Sequence, residues 1–234
     1  MKCALLTGVG KEGQVGEVVA RRLAADGFAL ILVDRTPENV SARAATLTKD
    51  GFLAKAHACD LADESAVRSL FQTLAADGVD ALDAVVHMAG GFALSGPVAE
   101  AGLGDFEKQL TINLRTAFLV SRSAIPLLRK RRGSMVFFAS ESALSGALVA
   151  RVSAYAASKS AVVSLCRSIS QEEREAGVRA NALAPAAIRT AANLSTMNPS
   201  SKFVERDDVA ATVSYLCSEQ SHAVTGQVIR LSPR

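Results

Sequence analysis

The sequence predicts a Rossmann-type α/β fold, a doubly wound parallel sheet of about seven strands flanked by helices on both faces. Short apolar runs alternate with longer segments of helical periodicity along the whole chain, which is the order of a parallel sheet with crossover helices. Several runs are apolar at nearly every position, as strands buried on both faces are. With 234 residues, 49% of them hydrophobic, we expect one domain over residues 1–234.

The strands are predicted where short apolar or β-branched runs occur. In chain order they are Cys3–Thr7, Ala29–Asp34, Phe52–His57, Ala84–His87, Ser134–Ala139, Arg179–Ala184 and Gln227–Leu231. In such a sheet, ligands bind at the carboxyl ends of the strands where the topology switches. The chemistry of this chain is therefore expected in the loops that follow the strands.

Helices are predicted between the strands. They are Val15–Asp26, a helix capped by Thr36 with Pro37 first, a helix striped by Val67, Leu70, Phe71 and Leu74, the long segment Leu110–Lys130, the helix after Ser153, and a last helix capped by Asp207. A cap residue accepts bonds from free amides, and proline suits the first helical position. Pro126 is expected to bend or break the long segment.

Composition limits the function classes. The net charge is +3, and the one tight basic run, Arg129–Arg132, suits a helix end better than a nucleic-acid surface. The four cysteines form no C-x-x-C pair, so we expect no metal site, free thiols and a cytoplasmic protein. The longest apolar run, Phe28–Val33, is too short to span a membrane, and no signal peptide is recognised.

A glycine-rich turn follows the first strand. Gly8, Gly10, Gly13 and Gly16 lie between that strand and a helix, where glycines permit close approach of a pyrophosphate to free helix amides. Asp34 ends the second strand, and a carboxylate there accepts bonds from ribose hydroxyls and repels a 2′-phosphate. This favours NAD. NADP stays open because Lys11 and Arg35 are basic residues close to the same place.

Tyr155 and Lys159 form a candidate acid/base pair. They are four residues apart in a predicted helix and so lie on one face. A free tyrosine has a pKa of about 10, and a nearby ammonium lowers it. This spacing is common, so its significance depends on the residues around it.

Over nearly its whole length the chain resembles the short-chain dehydrogenase/reductase family in its single-domain form. The matching segments, in order, are Thr7-Gly8, Asp34, Cys59-Asp60-Leu61, Asn113, Ser140, Tyr155-Ala-Ala-Ser-Lys159, Arg179–Pro185, Ile188 with Thr190, and Val224–Val228. The resemblance implies a catalytic set of Asn113, Ser140, Tyr155 and Lys159. It implies cofactor contacts from Gly8, Gly10, Gly13, Val15, Asp34, Arg35, Asp60, Leu61, Ala89, Gly90, Tyr155, Lys159, Pro185, Ile188 and Thr190.

The resemblance also assigns roles. Tyr155 exchanges a proton with the substrate oxygen as general acid/base, and Lys159 binds the nicotinamide ribose and lowers the tyrosine pKa. Ser140 hydrogen-bonds the reacting oxygen, and Asn113 holds a water. Ser142 is the alternative to Ser140, because counting back from Tyr155 favours it whereas counting along the strand favours Ser140.

Several positions depart from the family pattern. Gly8 and Gly16 are two residues further apart than usual, His87-Met88 replaces two asparagines, and Ala186 replaces a glycine. For His87 we favour a packed or backbone-bonded side chain over a titratable group near the cofactor. The substrate-loop region, residues 190–206, is short and has little amphipathic pattern.

Two functions follow from these features. The favoured one is an NAD(P)-dependent oxidoreductase that moves a hydride between the cofactor and a small alcohol or ketone. The alternative is a nucleotide-binding sensor or scaffold protein with the same fold and little turnover. The resemblance also implies a homotetramer or homodimer, assembled through the helices at Leu110–Lys130 and Ser153–Ala176.

Overall fold

Seven parallel strands form the central sheet in the computed structural model, which describes residues 1–233. Their bounds are β1 Lys2–Thr7, β2 Phe28–Asp34, β3 Ala54–Ala58, β4 Ala84–His87, β5 Ser134–Phe138, β6 Arg179–Pro185 and β7 Val228–Leu231. The spatial order is β3-β2-β1-β4-β5-β6-β7. The predicted fold class is confirmed, and Arg234 of the predicted domain lies outside the described residues.

The sheet reverses its winding between β1 and β4. β1 pairs on one side with β2, matching Thr7 to Val33, and on the other with β4, matching Thr7 to His87. The chain therefore leaves the centre in both directions, and a crevice opens at the carboxyl ends of these two strands. Thr7 and His87 mark the floor of that crevice.

Residues 1–233 contain eight α-helices, most of which pack on the two faces of the sheet. Their bounds are α1 Val15–Ala25, α2 Pro37–Lys49, α3 Glu64–Ala76, α4 Leu103–Leu110, α5 Thr116–Arg129, α6 Ser153–Glu172, α7 Ala191–Thr196 and α8 Arg206–Leu216. Apolar residues of α1, α2 and α8 form one buried cluster, and those of α3, α5 and α6 form another. Leu5 belongs to the second and Leu6 to the first, because side chains along a strand alternate between its faces.

The predicted long helix differs in two ways. It begins earlier, at Leu103, and passes through a π-helical turn, Thr111–Arg115, between α4 and α5. A break at Pro126 is wrong, since α5 continues to Arg129. The proline lies close to the helix end, so its missing N–H removes one bond from the last turn and does not divide the helix.

Two smaller predictions are corrected. β3 begins at Ala54 and not at Phe52, because the Phe52 N–H bonds to the Leu47 carbonyl and closes the end of α2. α8 begins at Arg206, after Glu205 as N-cap, so Asp207 lies inside its first turn. An acidic residue there still complements the helix dipole.

Candidate active site

The Tyr155–Lys159 pair lies on the first turns of α6, beside the carboxyl ends of β4 and β5. The Lys159 ammonium is 5.8 Å from the centre of the Tyr155 ring, so the two residues share one helix face, as predicted. Lys159 is only 6% exposed. Its Nζ donates a hydrogen bond of 2.8 Å to the carbonyl of Phe138, the last residue of β5. Burial lowers the pKa of Lys159 to about 8.

The pKa of Tyr155 is shifted in the direction opposite to our expectation. Burial raises the pKa of the phenol, and a hydrogen bond with Ser140 opposes that shift. The Lys159 ammonium is directed to the Phe138 carbonyl, and desolvation outweighs any stabilisation of the phenolate. In this structure the tyrosine is therefore a protonated group, ready to donate.

Ser140 is the serine that touches Tyr155. It lies just after β5, is 9% exposed and hydrogen-bonds the phenol. Ser142 is in the following turn, where its N–H donates to Ser140 Oγ at 3.2 Å and its hydroxyl lies 3.4 Å from the same atom. The geometry thus places Ser140 next to the phenol and Ser142 behind it.

Asn113 locks the loop after β4 onto the helices. Its side chain lies in the π-helical turn and is 1% exposed. Oδ1 accepts the Gly91 N–H at 3.0 Å, and Nδ2 donates to the Gly91 carbonyl at 3.0 Å. Nδ2 also lies within bonding distance of Gln109 and Ser158. A Cβ at Gly90 would overlap Asn113 Oδ1, so this approach requires a glycine.

His87 is a neutral, packed side chain, as favoured from the sequence. It is 3% exposed, with Nδ1 3.1 Å from Thr7 Oγ1 and Nε2 3.2 Å from Thr116 Oγ1. The Thr116 hydroxyl donates to the Ile112 carbonyl, so it accepts from Nε2–H and leaves Nδ1 as acceptor. Burial, with a smaller effect of the Lys159 charge, lowers the pKa of His87 to about 3.

Two glycines of the glycine-rich turn lie in close contact with neighbouring backbone atoms. Gly8 has φ +74°, and a Cβ there would lie 2.7 Å from the backbone nitrogen of Ala89. A Cβ at Gly16 would lie 2.7 Å from Val9 Cα. Gln14 is the N-cap of α1 and makes no side-chain cap bond, so the first amides of α1 keep their capacity to bind an anion.

The Asp34 carboxylate already accepts two hydrogen bonds from the protein backbone. One carboxylate oxygen accepts the Gly10 N–H at 3.0 Å and the other accepts the Thr36 N–H at 3.2 Å. Thr36 is the N-cap of α2, as predicted, but without a side-chain cap bond. Each carboxylate oxygen has a second acceptor site, so the ribose interaction expected of Asp34 remains available. Arg35 and Lys11 are both exposed.

The other predicted cofactor residues lie at strand ends and in the loops that follow them. Asp60 is exposed and accepts the Ala62 N–H, and Leu61 is buried. Pro185 ends β6. Ile188 bridges to Val204 at the base of the substrate loop. The Thr190 hydroxyl accepts the Asn193 N–H and caps α7, the one helix of the loop region 190–206.

A cavity of about 330 Å³ lies beyond the serines. Glu141, Ser142, Leu144, Leu148 and Arg230 are among its lining residues. Glu141 forms an ion pair with Arg230, which closes one side. The charge of Glu141 is therefore matched within the chain.

Sequence reasoning missed two residues at the site. The Phe92 ring meets the Tyr155 ring edge-on, with centroids 5.0 Å apart and planes at 80°, although Phe92 is 63% exposed. Glu17 contacts the glycine-rich turn. The position of Phe92 directly after Gly90-Gly91 was the available signal for the first; for Glu17, it was an acidic residue three positions after the N-cap.

Comparison with known proteins identifies the family. A family model described as enoyl-(acyl carrier protein) reductase matches residues 8–232. A meso-2,3-butanediol dehydrogenase of Serratia marcescens is 30% identical, with 96% of this chain and 90% of the relative covered. A D-threitol dehydrogenase of Mycolicibacterium smegmatis is 29% identical, with 96% and 89% covered. The chain belongs to the short-chain dehydrogenase/reductase family and is an oxidoreductase.

Solved structures agree with the fold. A short-chain type dehydrogenase/reductase from Mycobacterium ulcerans has a TM-score of 0.88 at 26% identity, covering 99% of this chain and 88% of the other. A gluconate 5-dehydrogenase from Burkholderia cenocepacia, solved with NADP and tartrate, has a TM-score of 0.89 at 26% identity, covering 99% and 93%. These likenesses do not favour the sensor or scaffold alternative.

No helix within residues 1–233 combines the length and apolar character needed to cross a bilayer. In the same described range, no group of three or more histidine, cysteine or acidic side chains is arranged to hold a metal ion.

Proposed function

We propose that the protein is an NAD(P)-dependent oxidoreductase that interconverts a small alcohol and the corresponding ketone, with Tyr155 as general acid/base. The observation that carries this proposal is the convergence of Tyr155, Ser140 and Lys159 beside the crevice at the strand ends. A phenol hydrogen-bonded to a serine and next to a buried ammonium can transfer a proton to or from a substrate oxygen.

The residues of the turn fit a dinucleotide. The uncapped amides of α1 suit a pyrophosphate, and the absence of side chains at Gly8 and Gly16 permits the close packing that forms the turn. Val15, the first residue of α1, belongs to this set, as do Gly10 and Gly13. When bound, the nicotinamide supplies the hydride chemistry, and the protein supplies orientation and electrostatics.

In ketone reduction, the proton comes from Tyr155. The phenol donates it to the substrate oxygen as that oxygen gains charge, and Ser140 donates a hydrogen bond to the same oxygen. Lys159, with a pKa near 8, then stabilises the phenolate. Asn113 holds the Gly91 loop and Ser158 in place around the pair; its expected water is part of this proposal. In alcohol oxidation, the proton moves in the reverse direction.

We favour NAD over NADP. Asp34 lies where the adenosine ribose is expected and would repel a 2′-phosphate. Its bond to the Gly10 N–H fixes the carboxylate at the turn. Arg35 and Lys11 are basic and would favour a 2′-phosphate, and therefore NADP. Fluorescence titration with NADH and with NADPH measures the affinity for each. Tighter binding of NADPH would overturn the preference.

Assembly and location complete the proposal. Phe106 of α4 and Phe118 of α5 are exposed apolar side chains, and α6 carries small residues such as Ala157. These features support a homotetramer or homodimer built on these helices. The four free cysteines agree with the cytoplasmic location that we also propose, and we propose no nucleic-acid or membrane partner. Light scattering of the purified protein tests the assembly, and a monomer would refute it.

The decisive experiment compares two tyrosine variants. Tyr155→Phe removes the hydroxyl and keeps the ring, so oxidation and reduction of a panel of diols, hydroxy acids and cyclic ketones should fall by about 10²-fold or more at the nicotinamide absorbance. Tyr215→Phe is the control, because it changes the other tyrosine, on α8. Full activity of Tyr155→Phe would reject the mechanism.

A further inference from the structure

Glu17 makes three contacts at the start of α1. Its Oε2 accepts the Gly13 N–H at 2.9 Å. Its Oε1 lies 3.3 Å from a guanidinium nitrogen of Arg43, and Oε2 lies 3.8 Å from one of Arg206. In a usual capping box, an acidic residue at this position reaches back to the N-cap amide. Here the N-cap is Gln14, so Glu17 reaches one residue further, into the longer turn.

Gly13 is also held from its other side. Its carbonyl accepts the Ala191 N–H at 3.0 Å, and Ala191 is the first residue of α7 in the substrate loop. Gly13 has φ +69°, and a Cβ there would lie 2.8 Å from Ala191 Cβ. Gly13 of the turn is thus held through its N–H by α1 and through its carbonyl by the substrate loop.

Both ends of the substrate loop contact Gly13 or Glu17. Ala191 begins α7 and bonds Gly13, while Arg206 begins α8 and pairs with Glu17. Between them, α7 is largely exposed. The turn, which is two residues longer than in the family pattern, is therefore in direct contact with the substrate loop.

The negative charge of Glu17 also neutralises a buried arginine. The Arg43 side chain is 8% exposed, and its Nε has no hydrogen-bond partner within residues 1–233. A buried guanidinium needs a nearby carboxylate, and Glu17 supplies it. This contact fixes the carboxylate against α2 and leaves Oε2 directed to Gly13 and Arg206.

We propose that Glu17 is a positioning residue that couples binding of the dinucleotide at the glycine-rich turn to closure of the substrate loop, through Gly13. The inference rests on the proposed function, since it needs a dinucleotide at the turn. Binding fixes Gly13, and Gly13 then holds Ala191. A ligand that orders one side of a shared contact favours order on the other.

The test uses trypsin as a probe of the loop. Lys202 is exposed within it, and saturating NADH or NADPH should slow cleavage after Lys202 by about fivefold or more, the lower end of usual coupling. Ala191→Pro removes the N–H that reaches Gly13 and puts the ring Cδ in its place, so the bond to the Gly13 carbonyl is broken. Proline suits the first helical position, and Thr190, at φ −101° and ψ 158°, has the backbone proline requires before it.

Ala191→Pro is expected to bind the dinucleotide with little change and to lose the protection. Ala191→Ser keeps the N–H and should keep the protection. Glu17→Ala should lose it as well, with weaker dinucleotide binding and a raised KM for substrate at little-changed kcat. Glu17→Gln retains an acceptor for Gly13 and should recover part of the protection. Glu175→Ala is the control, because Glu175 is exposed between α6 and β6, at the amino ends of the strands and away from the turn.

The outcomes separate the two proposals. Protection of Ala191→Pro and Glu17→Ala equal to that of the unmodified protein would overturn the coupling, even if the dinucleotide binds and catalysis proceeds. Failure of the unmodified protein to bind either dinucleotide would overturn the proposed function together with the coupling. If Glu17→Ala does not fold, Ala191→Pro and Ala191→Ser still decide the question.

Discussion

Replacement of His87 should change how stability depends on pH. The ring is neutral and held by two threonine hydroxyls, Thr7 and Thr116. Its folded pKa of about 3 lies below the ordinary 6.5. Below pH 6.5 the unfolded chain therefore binds a proton that the folded chain does not. The contribution of His87 to folding stability is thus present above pH 6.5 and is lost as pH falls towards 3.

The size of this stability loss follows from the pH range between the folded and unfolded pKa values of His87. Each pH unit within it costs about 1.4 kcal/mol of unfolding free energy. Between about pH 6.5 and pH 4.5, the His87 contribution to the free energy of unfolding should therefore fall by about 2–3 kcal/mol. Carboxylates also titrate in this range, so the informative quantity is the difference between the unmodified protein and His87→Gln, which keeps a polar side chain but cannot titrate.

Urea unfolding followed by circular dichroism at several pH values measures this difference. His87→Gln should be less stable near neutrality, and its disadvantage should shrink by about 2–3 kcal/mol on acidification. His222→Gln, at an exposed position, controls for loss of a histidine. Parallel pH profiles for His87→Gln and the unmodified protein would show that His87 is protonated in the folded state, contrary to the hydrogen-bond network.

Substitutions at three further positions test the packing of the site and of the sheet. Gly90→Ala forces a methyl group onto Asn113 Oδ1 and should cost about 1–3 kcal/mol in urea unfolding and most of the activity; normal stability would contradict the tight approach. Asn181→Ala removes two hydrogen bonds from the buried Asn181 side chain to the segment before β7 and should cost about 2–4 kcal/mol without changing KM. Phe92→Ala removes the edge contact with Tyr155, so kcat/KM should fall about tenfold at most, whereas Phe92→Leu should recover part of it.

The sequence predicted the fold because its information is local and repeated. Apolar strands such as Ala29–Asp34 alternate with striped helices, and burial on both faces follows from that pattern. The pairing of Tyr155 with Lys159 was equally accessible, since a spacing of four sets one helix face. Strand ends and helix faces are where the sequence was most reliable.

Features that depend on loop conformation were not predictable. Phe92 reaches Tyr155 only because the loop after Gly91 is held by Asn113, and that amide lies in a π-helical turn with no periodic signature. The pKa of Tyr155 depends on how deeply the phenol is buried and on where Lys159 is directed. Neither quantity can be obtained from spacing alone, so the expected downward shift was wrong.

Two departures from the family pattern, His87 and the longer turn, are compensated inside this chain. His87 replaces an asparagine and carries the connection from Thr7 to Thr116 as a neutral ring. The longer turn gains a carboxylate from Glu17 and a bond to Ala191. A turn that had lost its ligand would have no physical need for these attachments, because a free surface loop satisfies its amides with water. The remodelled residues therefore support the proposal of a dinucleotide site with a loop attached to it, beside which Tyr155 is proposed to exchange the proton.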